Sequence, residues 1–171
     1  MNERIDRMIR AAKLDPSLYE EVEADPSTMR EAGLVVVLSS VAAGIGSIAQ
    51  GGLAGIIFGT IAALLGWFVW AYLTCIIGTK LLPTPETDAD YGQLLRTLGF
   101  ASAPGIIRVL GIVPILGLIV FFISGIWMLA ATVVAVRQAL DYTSTGRAIL
   151  VCLIGWVVQW VVLGVFFALV G

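Results

Sequence analysis

Long apolar runs leave a polypeptide few options. From Gly33 to Gly171 the chain alternates such runs with short polar breaks. A run of roughly 20 apolar residues is long enough to cross the hydrocarbon of a bilayer as a helix. In lipid, amides and carbonyls have no water to bond, so each run must satisfy its own backbone by coiling. Composition agrees, with 59% of the 171 residues hydrophobic and 13% charged, against about 25% charged in a soluble domain. The expected fold is an all-α integral membrane protein of five transmembrane helices. They lie at about 33–49, 53–82, 94–113, 115–136 and 146–170, and a helical N-terminal segment, residues 1–32, precedes them.

That segment holds 13 of the 22 charges, so no cleaved signal is expected in it. Ile5, Met8, Ile9 and Ala12 recur at helical spacing among Arg4, Arg7, Arg10 and Lys13. Such a short basic amphipathic helix either lies on an anionic membrane surface or packs on the protein's own cytoplasmic face. Asp15-Pro16 and Asp25-Pro26 are two helix starts of one kind, an acidic N-cap followed by proline at the first helical position. Residues 14–32 carry six acids and one base. They form either an acidic surface for a protein partner or a solvated helical face.

Within the apolar runs, Ser39, Ala43 and Ser47 recur every four residues, and Gln50-Gly51-Gly52 predicts a tight turn. Gly51, Gly55, Gly59 and Ala63 form a ridge of small residues that lets another helix backbone approach, from the first span or from a second copy of the chain. Thr87 and Asp90 are spaced as a capping box ahead of the third span, and Ser144 as the N-cap of the fifth.

The third span is the unusual one. Leu98–Pro114 contains Pro104, Pro114, Gly105 and Gly111 together with one arginine, Arg108. Proline frees a carbonyl and breaks a helix, and an arginine in a span is costly and marks a functional site by default. The third span is therefore expected to be broken at its prolines. No acidic residue lies in any expected span, so Arg108 must snorkel, bond carbonyls freed by the prolines, or face a cavity and hold an anion. Ser102, Ala103 and Pro104 read as the start of a half-helix whose free amides would also favour an anion. Trp67, Trp70, Trp127, Trp156 and Trp160 fall near mid-span, with Gln159 between the last two. Their N–H groups need partners in hydrocarbon, so they are expected to face inward and bond one another or a carbonyl.

Several activities are excluded. The chain has no histidine, which removes Ser-His and Cys-His nucleophiles and the commonest metal ligand. Cys75 and Cys152 sit apart in apolar runs and read as buried small hydrophobes. No glycine-rich phosphate loop follows a strand, and a net charge of −2 suggests no nucleic acid. No cofactor and no metal are expected.

Asp90-Tyr91-Gly92-Gln93-Leu94 at the entry to the third span resembles the Asp-Leu-Tyr-Gly-Pro element of the Yip family (Ypt-interacting, Yip-one domain). Gly99-Phe100-Ala101-Ser102-Ala103-Pro104 resembles that family's Gly-Tyr-x-x-x-Pro element. The polar start, five closely spaced spans and the stretch Trp127–Ala148 are similar to its prokaryotic branch, over about residues 30–170. The chain departs at Gln93, where the family has proline, and at Phe100, where it has tyrosine. The eukaryotic members' association with Rab-type GTPases is not carried over, because their long N-terminal region has no counterpart here. The resemblance implies a non-enzymatic membrane protein, with Asp90, Tyr91, Gly92, Gly99, Phe100 and Pro104 as its motif positions.

Lys and Arg set the orientation. With the N-terminus in the cytoplasm and five spans, nine of the ten fall on the cytoplasmic side, Arg108 being the exception. The C-terminus is then outside, in what the family branch implies is a prokaryotic plasma membrane. Two functions follow as expectations. The first is a membrane-organising or partner-binding module that self-associates as a homo-oligomer and meets a cytoplasmic protein through residues 1–32. The second is a small transporter, channel or lipid-handling protein built on the Pro104–Pro114 break. Its anion contact is Arg108, with Ser102, Gly105 and Gln159 nearby.

Overall fold

The computed structural model describes residues 3–113 and 115–170, with side chains through Val161. Pro114, one of the two prolines of the expected break, lies outside the described residues. Helices account for nearly all of the fold, and among the described residues there is no strand. Among the described residues, four helical stretches are long and apolar enough to cross a membrane: Pro26–Gly46, Ile48–Leu81, Tyr91–Ile112 and Gly117–Ala139.

The N-terminal segment forms α1 (Glu3–Ala12) and α2 (Pro16–Ala24). Asp15 caps α2 by accepting from Ser17 N at 3.0 Å. Asp25 repeats the device, accepting from Ser27 N at 2.9 Å, and opens one 3₁₀ turn that runs into α3 (Met29–Gly46). Leu18, Tyr19 and Val22 of α2 are fully buried in one cluster with Leu94, Phe100 and Val136 of the apolar helices. The polar segment is therefore packed onto the membrane-type helices as a cap. The basic residues of α1 are consumed in this packing. Arg7 bonds Glu3, Glu21 and Glu31, and Arg10 bonds Asp15 and Glu21, at 2.7–3.0 Å. Of the two settings expected for α1, the structure shows packing on the protein itself.

The turn at 50–52 is placed differently from expectation. Helix α3 stops at Gly46 and the chain reverses at Ser47, where φ is −114° and ψ 23°. Helix α4 (Ile48–Ile76) starts at once and bends at Gly52, whose φ of 57° suits glycine. A π-turn, Ile77–Leu81, closes this stretch. The capping box is also one step further along. Asp90 accepts from Gln93 N at 2.8 Å and Gln93 Oε1 accepts from Asp90 N at 2.6 Å. Thr87 instead accepts from Thr84 N and donates to Leu140 O.

Helix α5 (Tyr91–Phe100) passes through a turn at Ala101-Ser102 into a 3₁₀ helix of ten residues, Ala103–Ile112. Such runs rarely exceed three or four residues. Helix α6 (Gly117–Ala139), a tight turn and α7 (Thr145–Val170) follow. The long 3₁₀ helix is held by α3. A Cβ on Gly99 would lie 2.7 Å from that of Ala32. One on Gly105 would strike the Ser39 hydroxyl, and one on Gly46 would strike the Arg108 carbonyl. Gly111 faces the Gly46 carbonyl at 3.1 Å on the same measure. Glycines six apart, at 99, 105 and 111, thus meet positions seven apart on α3. From Gly105 to Gly111, two turns of 3₁₀ helix, about 12 Å, nearly match the two turns of α-helix, about 11 Å, from Ser39 to Gly46.

Candidate functional site

The 3₁₀ segment places Arg108 against α6. Its Nε donates to Ser124 Oγ at 2.9 Å, and its guanidinium carbon stands 5.7 Å from the centre of the Phe121 ring. Ser124 is fully buried and passes its own proton to the Phe121 carbonyl at 3.0 Å. Among the described residues, no carbonyl accepts from Arg108 and its two terminal nitrogens have no hydrogen-bond partner. Arg108 lines a cavity of about 530 Å³.

This cavity gathers residues that are distant in sequence. Arg108, Ser102 and Gln159 all line it. So do Gly55, Gly59 and Ala63 of α4, Ser39 and Ser40 of α3, and Trp70 and Trp156. Among the described residues, nothing lies within 4 Å of a Cβ built at Gly51, Gly55 or Gly59. The close α3–α4 contact is elsewhere, at Gly44, where a Cβ would meet Ile56 at 2.8 Å.

The half-helix reading of Ser102-Ala103-Pro104 needs correction. Ser102 makes no side-chain cap. The amides of Ala101, Ser102 and Gly105 are already donated to Thr97, Gly99 and Ser102 carbonyls. Proline has no amide at all. No set of free amides is left for an anion, and Pro104 and Gly105 are buried packing positions. Ser102 and Arg108 are brought together instead as neighbours on the cavity wall.

The other motif positions are structural. Asp90 and Gln93 close the capping box, so glutamine at 93 has a definite role in this chain. The Tyr91 hydroxyl donates to the Phe68 carbonyl at 3.0 Å. Gly92 leaves room for Arg96, whose Nη1 would lie 3.2 Å from a Cβ there. Phe100 is fully buried. Two tryptophans find carbonyls: Trp67 donates to Leu95 O at 2.9 Å and Trp127 to Ala12 O at 2.7 Å. Trp160 departs from expectation. It is 74% exposed and points outward, which suits an indole on a lipid-facing surface.

Sequence reasoning missed Arg96. It is buried and donates from Nε to the Val22 carbonyl at 2.9 Å and from Nη2 to the Glu23 carbonyl. These carbonyls lie in the last turn of α2, where a cation is favoured, and the Val22 carbonyl also accepts from Thr28 Oγ1 at 3.1 Å. Arg96 is thus the latch between the cap and α5. Its signal was its spacing: Arg96 follows the helix start at Asp90 on the same face as Gly92. Burial pushes the Glu23 carboxyl up to about 7, with the charges of Asp141, Glu20 and Asp90 adding to the rise and Arg96 opposing it.

Among the described residues, no group of three or more His, Cys, Asp or Glu is placed to hold a metal. The model of the Yip1 domain family matches residues 15–167. No curated protein and no solved structure matches the chain.

Proposed function

The chain belongs to the Yip1 domain family of membrane proteins, and on that premise we propose that it is a five-span, non-enzymatic membrane-organising module. Its first 32 residues serve as a cytoplasmic docking face. The observation that carries this reading is the latched cap. Arg96 fixes the end of α2, Trp127 fixes the end of α1, and Arg7 ties α1 to Glu31 at the head of α3. A flexible tail would pay the cost of ordering each time it met a partner, whereas this cap is already ordered. Helix α7, 26 residues long, supplies the fifth span at about 39 Å. The Lys and Arg bias then puts the N-terminus inside and the C-terminus outside.

Photo-crosslinking from exposed Lys13 in native membranes tests the docking face. The expected products join two copies of the chain, or the chain and one discrete protein, and they fade in Arg96→Ala. Adducts with lipid alone would overturn the reading. A reporter fused after Gly171 tests the topology and is expected to report the outer side.

A second reading, lipid handling or small-solute transport, is favoured by one observation, the cavity with Arg108 on its wall.

A further inference from the structure

Two cavities meet at Arg108. The first, about 530 Å³, presents hydroxyls and an amide: Ser39, Ser40, Ser102, Thr132 and Gln159. The second, about 400 Å³, lies between α6 and α7 and is walled by apolar groups, among them Leu129, Val133, Ile149 and Leu153. Arg108, Trp70, Met128, Thr132 and Trp156 border both. Leu129, Ile149 and Leu153 are also 42–51% exposed on the outer surface. The apolar chamber therefore opens sideways, between two helices whose outer faces suit lipid. Each chamber falls within the usual range of ligand sites, roughly 300–1,000 Å³.

The charge is lopsided. No acidic residue is among the described residues lining either chamber, and Arg108 is the one cation among them. A guanidinium in an apolar protein interior calls for an anion, and its planar fork suits the oxygens of a phosphate. One positive charge balances one negative charge. A phosphodiester fits that count, and a multiply charged free phosphate or nucleotide does not. The polar chamber beside the apolar one asks for an amphiphile.

We propose that the joined chambers bind a monoanionic phospholipid, its phosphodiester on Arg108 and an acyl chain between α6 and α7. This deepens the lipid-handling reading and rests on it. The lipid enters from the side, through the α6–α7 opening. Arg108 stands four residues before the end of the 3₁₀ helix, about 8 Å along it, so the serine-lined chamber replaces part of the headgroup's water.

The test is native mass spectrometry of the full-length protein in mild detergent, titrated with phosphatidylglycerol or phosphatidylcholine. Wild type is expected to retain one phosphatidylglycerol per chain, about ten-fold more tightly than phosphatidylcholine. Arg108→Ala should abolish that preference. It should still fold, because Ser124 keeps its bond to the Phe121 carbonyl. Lys80→Ala, which removes an exposed charge elsewhere, should behave as wild type. Gly125→Leu gives a second handle. Among the described residues nothing lies within 4 Å of a Cβ there and the residue lines the apolar chamber, so leucine should fill the chamber and expel the lipid without disturbing the fold. Equal retention of the two lipids, or loss of phosphatidylglycerol in Lys80→Ala, would overturn the proposal. So would undiminished binding in either Arg108→Ala or Gly125→Leu. A small anion retained in an Arg108-dependent way, with no lipid, would overturn the lipid and leave solute transport standing. With nothing bound through Arg108, the lipid-handling reading falls too.

Discussion

A Cβ on Gly105 would collide with the hydroxyl of Ser39, so the 3₁₀ helix and α3 are in contact at that point with no space between them. Met128 closes the other side, 2.8 Å from the same Cβ position. Gly105→Val is therefore expected to destabilise the protein by about 1–3 kcal/mol, the usual cost of overpacking. Gly59→Ala is the contrast. Among the described residues nothing lies within 4 Å of its Cβ position on α4, and alanine in a helix is favoured over glycine by roughly 0.5–1 kcal/mol. Thermal unfolding in one detergent should show the first variant melting below wild type and the second at or above it. If Gly105→Val melts with wild type, the close packing of the 3₁₀ helix is wrong.

The all-α character was legible because a long apolar run in lipid must satisfy its own backbone by coiling. The two Asp-Pro starts were also legible, since capping is local chemistry. The 3₁₀ helix was not. Proline at 104 signalled a change, but its form depends on how closely α3 can approach, which only the pairing of Gly99, Gly105 and Gly111 with Ala32, Ser39 and Gly46 reveals. The six-residue glycine repeat was visible, yet it has meaning only once a partner of seven-residue repeat is known. Arg108 and Ser102 both line the cavity, though the free-amide argument that joined them does not hold. Gly55, Gly59 and Ala63 of α4 line the cavity, and small residues suit a close neighbour and an open wall equally.

Arg96 carries two carbonyls of the α2 end, those of Val22 and Glu23. Removing it leaves the Glu23 carbonyl without its side-chain donor, while Val22 keeps the Thr28 hydroxyl at 3.1 Å, a loss of about 1–3 kcal/mol. Arg96→Ala should therefore release the cap before it unfolds the rest. Limited proteolysis is expected to cut within residues 13–28 faster than in wild type, while the apolar helices stay protected. Arg96→Lys keeps the charge and loses the fork, so it should fall between the two. Uniform proteolysis along the chain would show that the cap has no separate latch.

Glu23 faces Asp141, Glu20 and Asp90 with Arg96 as its one opposing charge, and its carboxyl is raised from 4.5 to about 7. The folded protein then holds this proton where the unfolded chain has released it. Stability should decline as pH rises from about 4.5 to 7 and stay low above that. Glu23→Gln cannot ionise, so its melting temperature should vary less between pH 5 and pH 8, and at pH 8 it should exceed that of wild type. Identical pH slopes in the two proteins would assign the effect to other groups.

Tyr142 joins the two polar turns on the cap side. Its ring is buried, and its hydroxyl lies 2.7 Å from the Leu82 carbonyl and 3.1 Å from that of Gly78. Both carbonyls belong to the π-turn and its exit, where the regular helical ladder has ended and acceptors go unpaired. Leu140 packs so closely on Gly78 that no side chain fits between them. The hydroxyl thus holds the end of α4 to the α6–α7 turn, and Arg147 covers the outer face of the ring with its guanidinium carbon 5.8 Å from the ring centre. Tyr142→Phe keeps the packing and removes the donor, which should cost about 1–2 kcal/mol. Arg147→Ala exposes the ring and frees the Pro83 carbonyl it bonds at the surface, which should cost under about 1 kcal/mol. The two residues touch, so the double variant should fall short of the sum. Melting temperatures of the two single variants and the double variant decide this, and strict additivity would mean that the ring and the guanidinium act independently.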